Sequence, residues 1–330
     1  MLLLSRNDIQ KSITIKEAIQ VVKNAFFSYS SGKAMIPIRT QIKIPHEDGI
    51  SLYMPGYIAD SGALGIKIVS VFPENREKNL PIINAFVLLI DQQTGIPLAG
   101  LEGNYLTALR TGAASGVATD YLAKKGSSIL AIIGAGFQAI TQLEAIFSVR
   151  DIKSVNIYDI NEQQSIKYLE LMKDKFSDVS LKWAISHSAE KAIENADIIC
   201  ITTTSKTPVF SGEKIKPGTH INAVGAFTPE TQEIDIQTIL KADKIYVDSI
   251  EAALTEAGDL IIPIQKGKFD KTKINGEIGE IISKQKIGRE SDEEITIFKT
   301  VGLSIQDIAT GFFIYQKAKK LGLGKEFSLD

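Results

Sequence analysis

The chain has 330 residues, enough for about two domains of ordinary size. Hydrophobic residues make up 44% and charged residues 23% of it, and the formal net charge is −2. This composition is typical of a globular protein and lacks the basic excess of nucleic-acid or membrane-surface binders. The single cysteine, Cys200, excludes an intrachain disulfide and fits a reducing compartment, and its apolar neighbours predict a core position. The apolar start MLLL is too short for a signal peptide and no run is long enough to span a membrane, which predicts a cytoplasmic protein.

The first hundred residues combine a helix with short strands. The run TIKEAIQVVKNAFFSYSSG carries apolar residues at helical spacing, with Gly32 at its expected end. Extended runs follow, namely IRTQIKI, SLYMPGYI, ALGIKIVSVF and NAFVLLID, and QQTG predicts a hairpin turn into IPLAGLEG. The run NYLTALRTGAASGVATDYLAKKG then predicts a long helix ending at Gly126.

Strands and helices alternate from Ser127 onward. The strand-like runs are ILAIIG, SVNIYDI, SLKWAI, ADIICITT, HINAVG and KIYVDS, and helical runs such as AITQLEAIFSV lie between most of them. This alternation predicts a parallel, doubly wound sheet. The tail from Ser291 is predicted to form one or two helices, because Ser291 and Glu294 have the spacing of a capping box.

The stretch ILAIIGAGFQAI has the pattern of a dinucleotide fingerprint. Gly134 permits a tight turn after the strand, Gly136 allows close approach of a pyrophosphate, and Ala139 stands at the third position of the motif. Asp159 ends the next strand, where a carboxylate binds the ribose 2′-hydroxyl and repels a 2′-phosphate. The pattern therefore favours dinucleotide binding over a purely structural turn. It predicts NAD(H) as the cofactor, with NADP(H) as the alternative.

The run LTALRTGAASGVATDYLA followed by IIGAGFQA resembles the ornithine cyclodeaminase/μ-crystallin family, and INAVG, GDLIIPI, GEIGEII and SDEEITIFKTVGLSIQDIA resemble its later signatures. The resemblance runs from about Arg39 to Leu321. It implies an α/β fold, in which a Rossmann domain of residues 114–301 is inserted in an α+β catalytic and dimerisation domain of residues 1–113 and 302–330. It also implies a homodimer. Family members move a hydride between the nicotinamide and the α-carbon of an amino or imino acid.

Three basic residues are candidates for substrate binding. Lys67 lies in the apolar run ALGIKIVSVF, where burial would lower its pKa toward use in proton transfer; a lysine at a sheet edge is the alternative. Arg110 is surrounded by small residues and suits capture of a carboxylate, unless it forms a structural ion pair. Arg39 is by itself only a charge in a short strand. The resemblance implies that Lys67 is catalytic and that all three contact the substrate.

The resemblance also implies a set of cofactor contacts beyond the two glycines and Asp159. Thr203 and Val224-Gly225 end predicted strands, at the edge where ligands bind in such sheets, although they could be ordinary turn residues. The implied contacts are Asn84, Arg110, Phe137, Gln138, Thr203, Val224 and Gly225.

Phe227 departs from the pattern of the cyclodeaminases. Those members place a catalytic aspartate at the matching position, and a phenyl ring cannot move protons. An apolar side chain there would suit the ring of a cyclic imino acid, unless Phe227 merely anchors its loop. Because of this difference, we consider ornithine cyclodeamination a less favoured activity than reduction of a preformed imine.

Other chemistries lack support in the sequence. His46, His187 and His220 are far apart and form no metal-binding pattern, so we expect them on the surface or in loops. The run SDEEI is expected to be a solvated helix start, and no G-x-S-x-G elbow occurs.

The leading hypothesis is an NAD(P)H-dependent reductase of small cyclic α-imino acids such as Δ1-pyrroline-2-carboxylate or Δ1-piperideine-2-carboxylate. Alanine dehydrogenase is the nearest alternative and ornithine cyclodeaminase the third. A non-catalytic dinucleotide-binding protein is the alternative of a different class. Neither nucleic acid nor membrane is expected as a partner.

Overall fold

The computed structural model describes residues 1–328, without the side chain of Arg76. The strands are β1 (Leu2–Leu4), β2 (Ala34–Met35), β3 (Thr40–Ile44), β4 (Gly49–Ile58), β5 (Ala63–Val71), β6 (Ile83–Ile90), β7 (Pro97–Glu102), β8 (Ile129–Ile133), β9 (Ser154–Tyr158), β10 (Lys182–Ile185), β11 (Ile198–Ile201), β12 (His220–Ala223), β13 (Lys244–Val247), β14 (Gly276–Glu277), β15 (Thr296–Lys299) and β16 (Lys325–Glu326). The helices are α1 (Arg6–Ser12), α2 (Ile15–Ser30), α3 (Gly103–Leu122), α4 (Phe137–Val149), α5 (Glu162–Lys175), α6 (Ala189–Ile193), α7 (Ile236–Lys241), α8 (Ile250–Glu256), α9 (Gly258–Gln265), α10 (Ile278–Ile282) and α11 (Ser304–Leu321).

The chain divides into two compact units. The first comprises residues 1–110 and 303–330, and the second comprises residues 111–302. The sequence predicted boundaries after residues 113 and 301, and the units divide after residues 110 and 302, so the first boundary lies inside α3 in both cases. That helix ends at Leu122 rather than at the predicted Gly126.

The first unit is a mostly antiparallel sheet covered by helices. Its strand order is β16-β1-β7-β6-β5-β4-β2, with β3 paired to β4. Helix α2 begins with a capping box formed by Thr14 and Glu17, and its buried side chains follow the predicted helical spacing. Helix α11 packs against α2, β4 and β5, so the C-terminal segment completes the core of this unit.

The second unit is a parallel sheet with the order β10-β9-β8-β11-β12-β15-β13-β14. Every pair in it is parallel, and its inner strands β11, β12, β13 and β15 are fully buried, as expected for a sheet covered on both faces. The strand order reverses at β8, which lies between β9 and β11, so a ligand crevice is expected outside the carboxyl ends of these strands. The predicted α/β fold with a Rossmann sheet is confirmed.

The tail contains one of the predicted helices, α11, but that helix begins at Ser304, so the predicted helix start at Ser291 is wrong. Residues 296–299 form strand β15, which pairs with β12 on one side and β13 on the other. All four of its side chains are buried, and β-branched and aromatic residues in TIFK suit that position. The Glu294 carboxylate accepts a hydrogen bond from the backbone N–H of Glu290, rather than from Ser291 as a capping box requires.

The expectation that the histidines lie on the surface or in loops is wrong for His220. It lies in β12 and is fully buried, with its ring nitrogens 2.9 Å from Thr296 Oγ1 and 3.3 Å from Asn222 Oδ1. Burial, together with the nearby charge of Arg289, lowers the pKa of His220 to about 3, so its ring is neutral and structural. Cys200 is buried in β11, as predicted, and burial raises the pKa of its thiol to about 12.

Candidate substrate and cofactor sites

Lys67 is a buried cation in the middle of the first sheet. Its strand, β5, lies between β4 and β6, where Lys67 pairs with Met54 and Val87. The Lys67 side chain is only 3% exposed. The alternative of a lysine at a sheet edge is therefore wrong. Burial, together with the positive charges of Arg110 and Arg39, lowers the pKa of Lys67 to about 8, although Asp307 opposes this shift.

Asp307 is the partner of Lys67, and sequence reasoning missed it. It lies in the first turn of α11, is fully buried, and its Oδ2 atom lies 2.8 Å from Lys67 Nζ. Burial raises the pKa of this carboxyl group, but the charges and hydrogen bonds of Arg110 and Lys67 outweigh burial and hold the pKa below its usual range. An ionised aspartate thus stabilises the proton on Lys67.

Arg110 joins the same cluster from α3. Its Nε donates to Asp307 Oδ1 at 3.0 Å, and its Nη1 donates to Gln306 Oε1 at 2.7 Å. These contacts are the structural ion pair that the sequence left open as the alternative. They hold two of the three guanidinium nitrogens, Nε and Nη1, in place.

Gln306 is a second residue that sequence reasoning missed. Its Oε1 accepts hydrogen bonds from Arg110 and from the backbone N–H of Leu303, which fixes the orientation of the amide. Its Nε2 is buried and has no hydrogen-bond partner among the residues that the structure describes. A buried amide donor without an acceptor is costly, so this atom is suited to a ligand oxygen.

Two further predicted residues lie in the first unit. Arg39 precedes β3 instead of lying within a strand, and its charge is near enough to lower the pKa of Lys67. Asn84, a predicted cofactor contact, lies exposed near the start of β6 and donates to the Pro81 carbonyl at 3.1 Å. It therefore belongs to a different unit from the fingerprint glycines.

The fingerprint turn has the geometry that dinucleotide binding requires. Gly134 follows β8 with φ +86°, and a Cβ there would lie 2.8 Å from the Thr203 side chain, so only glycine fits. Gly136 begins helix α4 without a side-chain cap, and no atom lies within 4 Å of where its Cβ would be. The open space beside uncapped N–H groups at the helix start fits a pyrophosphate.

Asp159 lies beside this turn. Its Oδ2 accepts from the backbone N–H of Ala135 at 2.8 Å, and its Oδ1 accepts from Asn161 N at 2.9 Å. Each oxygen retains a lone pair, so the carboxylate can still accept ribose hydroxyls. The turn therefore positions Asp159 for the role that the sequence predicted.

Phe137 and Gln138 occupy the first turn of α4. Phe137 is 41% exposed, and Gln138 Oε1 is buried with no hydrogen-bond partner among residues 1–328. An orphaned acceptor next to the glycine turn is further support for a ligand at this helix start.

The remaining predicted cofactor contacts follow β11 and β12. Thr203 donates through both its backbone N–H and its hydroxyl to Glu233 Oε1, each at 2.6 Å. Val224 continues the pairing of β12 with β11, and Gly225 contacts Thr203 closely. Phe227 is 40% exposed, so it is not held in the core of its unit.

Neither a metal site nor a membrane segment is found in the described part of the chain. No group of three or more His, Cys, Asp and Glu residues within residues 1–328 could hold a metal ion. Within the same range, no helix is both long and apolar enough to cross a bilayer.

The model of the ornithine cyclodeaminase/mu-crystallin family matches residues 1–322. The chain is 45% identical over 325 residues to a Δ(1)-pyrroline-2-carboxylate reductase of Bacillus cereus, covering 98% of this chain and 99% of that protein. Its fold resembles the Thermococcus litoralis Δ(1)-pyrroline-2-carboxylate reductase solved in complex with NADH and L-proline, with a TM-score of 0.95, 47% identity and coverage of 99% and 100%. It also resembles an archaeal alanine dehydrogenase dimer with bound NAD, with a TM-score of 0.93, 38% identity and coverage of 100% and 99%.

These matches span nearly the whole chain and include both units. The resemblance predicted from the sequence is therefore confirmed. The chain belongs to the ornithine cyclodeaminase/mu-crystallin family.

Proposed function

We propose that the protein is an NADH-dependent reductase of small cyclic α-imino acids, which converts Δ1-pyrroline-2-carboxylate into proline or its six-membered homologue into pipecolate. The buried Lys67–Asp307–Arg110 cluster carries this proposal, because it combines a proton donor with an excess of positive charge. The names of the Bacillus and Thermococcus relatives support it.

The cluster is suited to a substrate that bears a carboxylate. Two cations, Lys67 and Arg110, face one carboxylate, that of Asp307. A bound carboxylate would compensate this excess, held by Arg110 and, as the resemblance predicted, by Arg39, and Gln306 Nε2 offers a further donor.

Reduction of the imine needs a hydride at carbon and a proton at nitrogen. Reduced nicotinamide, when bound, supplies the hydride. Lys67 gives its proton to the imine nitrogen, and Asp307 holds Lys67 in place and stabilises its charged form before transfer. The products are the saturated amino acid and oxidised nicotinamide, and Lys67 regains its proton from solvent.

The second unit fits the cofactor. Gly136 and the start of α4 would hold the pyrophosphate, and Asp159 would hold the ribose hydroxyls. Because a 2′-phosphate would lie against the Asp159 carboxylate, NADH is proposed as the preferred form over NADPH.

A substrate panel tests this function. NADH oxidation is followed by absorbance. We expect kcat/KM with Δ1-pyrroline-2-carboxylate to be at least about tenfold higher than with pyruvate plus ammonium. For Δ1-pyrroline-2-carboxylate, we expect kcat/KM to be about tenfold higher with NADH than with NADPH. Ornithine with NAD⁺ is expected to give no proline, because Phe227 cannot act as an acid or base. Faster turnover with pyruvate plus ammonium would make the protein an alanine dehydrogenase instead.

The pH dependence of this reaction should follow Lys67. Since its pKa is lowered to about 8 and the charged form donates the proton, kcat/KM for the imino acid is expected to fall above pH 8. The decline should approach about tenfold per pH unit, as for loss of one essential proton. A profile that stays flat to pH 10, with NADH binding unchanged, would contradict the role of Lys67 as donor.

Alanine dehydrogenase is the second candidate function, because the archaeal structural relative carries that name. Pyruvate plus ammonia forms an acyclic imine with the same carboxylate, so the cluster around Lys67 would serve both reactions. We favour the cyclic substrate, because Phe227 is an apolar residue at the position where the cyclodeaminases are predicted to carry an aspartate, and an apolar side chain suits ring methylenes.

We also propose that the protein is a homodimer, formed through the first unit. The archaeal relative is described as a dimer. The first unit leaves several large apolar side chains exposed between residues 35 and 86, and burying them in an interface would remove apolar surface from water. They are Met35, Ile38, Ile42, Leu80, Ile83 and Phe86.

Light scattering is expected to give twice the 36.0 kDa mass of the chain. Ile42→Glu, at a position 50% exposed in β3, is expected to shift the mass toward that of the monomer. Leu240→Glu is the matched control, because Leu240 is 47% exposed but lies in the second unit, and the dimer should persist. A monomeric wild-type protein would refute the proposal.

A further inference from the structure

One buried carboxylate joins two segments that follow neighbouring strands of the second sheet. Glu233 is fully buried, and its Oε1 accepts hydrogen bonds from the backbone N–H and the hydroxyl of Thr203, both at 2.6 Å. Its Oε2 accepts from the backbone N–H of Ala226 at 2.7 Å. Thr203 follows β11 and Ala226 follows β12, so this side chain fixes the spacing of both segments.

Glu233 is itself held from the opposite side. Asp259, in α9, accepts hydrogen bonds through Oδ1 from the backbone N–H groups of Glu233 and Ile234, at 2.6 and 3.1 Å. Its Oδ2 lies 2.8 Å from Lys299 Nζ at the end of β15, and both side chains are fully buried. This Glu233–Asp259–Lys299 network therefore connects α9 and β15 to the segments after β11 and β12.

The packing leaves little freedom around this network. A Cβ at Gly225 would lie 2.1 Å from the Thr203 carbonyl oxygen and 2.4 Å from Glu233 Oε1, so the two segments lie directly against each other. The neighbouring Thr202 hydroxyl donates to the Gly134 carbonyl at 2.7 Å. Hydrogen bonds from Thr203 to Glu233 and from the adjacent Thr202 to Gly134 thus link Glu233 to the fingerprint turn.

These contacts lie where the cofactor is proposed to bind. Ligands in a doubly wound sheet occupy the crevice outside the carboxyl ends of the strands, and β8, β11 and β12 are adjacent there. Glu233 itself is too deeply buried to contact a ligand, and its effect passes through Thr203 and the segment around Ala226.

We propose that Glu233 is a positioning residue, which holds the segments after β11 and β12 in the arrangement that binds NADH. This inference rests on the proposed NADH-dependent function. A carboxylate is required because three donors converge on its two oxygens. The neutral amide of a glutamine would point the hydrogens of its own NH2 group at one of these donors.

The ionisation of Glu233 adds a second readout. Burial and the nearby carboxylate of Asp259 raise the pKa of Glu233, and Lys299 opposes them, which leaves it at about 7. The ionised form is the stronger acceptor for the three donors. NADH binding is therefore expected to weaken as the pH falls below 7 and Glu233 becomes protonated.

The test compares Glu233→Gln with the wild type by fluorescence titration with NADH. The Kd for NADH is expected to rise about tenfold or more, as for loss of hydrogen bonds to a charged acceptor, with kcat at saturating NADH retained within about threefold. The Kd of the variant should also lose its pH dependence around 7. Asp235→Asn is the matched control, because Asp235 lies two residues further along the chain and its carboxylate accepts hydrogen bonds from Gly212 and Thr238 instead of Thr203 and Ala226.

The outcomes separate this inference from the proposed function. If the wild type does not bind NADH, the proposed function fails. If the wild type binds NADH and Glu233→Gln binds it equally well, even with a lower melting temperature, Glu233 is merely structural and the inference fails.

If Glu233→Gln does not fold, Glu233→Asp decides. Aspartate keeps the charge, but its carboxylate is one methylene shorter and cannot meet all three donors, so the Kd for NADH should rise about threefold or more. NADH binding by Glu233→Asp as tight as by the wild type would overturn the inference.

Discussion

Lys67→Met is expected to lower kcat for Δ1-pyrroline-2-carboxylate reduction about a thousandfold, since it removes the general acid. Methionine has a similar length and suits a buried strand, and Asp307 keeps its ion pair with Arg110, so the fold should survive. Steady-state kinetics at saturating NADH, together with a thermal melt, measure the two effects separately.

Lys78→Met is the matched control for this loss. Lys78 lies in the same unit and also pairs with a carboxylate, that of Glu47 at 3.0 Å, but its side chain is 52% exposed. Its removal should leave kcat within about twofold, as is usual for exposed ion pairs. Full turnover by Lys67→Met with an intact fold would refute the assignment of Lys67 as proton donor.

Asp307→Asn is expected to lower the free energy of unfolding by about 3–5 kcal/mol, because it leaves two buried cations without their carboxylate. Lys67 and Arg110 would then face each other with only neutral partners, and the pKa of Lys67 would fall further. Fewer molecules would carry the catalytic proton at neutral pH, so kcat should fall as well. Urea unfolding followed by circular dichroism measures the stability loss.

Lys317→Met provides the comparison on the same helix. Lys317 pairs with Glu17 at 2.8 Å, but both side chains are about one-third exposed. Loss of that pair should cost no more than about 1 kcal/mol. If Asp307→Asn costs as little as Lys317→Met, the buried cluster does not need its carboxylate and the account of its charge balance is wrong.

The features that the sequence predicted well are local ones. The fingerprint turn was recognisable because the strand, Gly134, Gly136 and the helix follow one another directly, and the backbone of Gly134 requires glycine. Lys67 was recognisable because a charge interrupts an apolar strand of known periodicity.

Contacts between distant segments were not predictable in this way. Asp307 lies 197 residues from Arg110 in the chain, and in the run SIQDIA it resembles an ordinary acidic residue of a helix start. Glu233 was missed for the same reason, since its partners Thr203 and Ala226 are defined only when β11 and β12 pair.

The errors at the tail and at His220 have a common cause. Strand β15 joins the sheet between β12 and β13, although it comes after both in the chain. Its short run TIFK carries no local signal of that position, and the Thr296 hydroxyl that accommodates a buried His220 belongs to it. Tertiary pairing thus overrode the capping-box spacing that had suggested a helix start at Ser291, and it buries a histidine that had been expected on the surface or in a loop.

The late position of Asp307 in the chain has a consequence for biosynthesis. Arg110 leaves the ribosome 197 residues before Asp307, and Lys67 leaves it earlier still. Until Asp307 follows, the nascent segment contains two cations destined for burial without their counter-charge, and it lacks α11, which completes its core. Since the first unit depends on contacts between segments this far apart in the chain, we expect it to fold only after α11 has been synthesised, and to be the part most dependent on protection from aggregation in the cell.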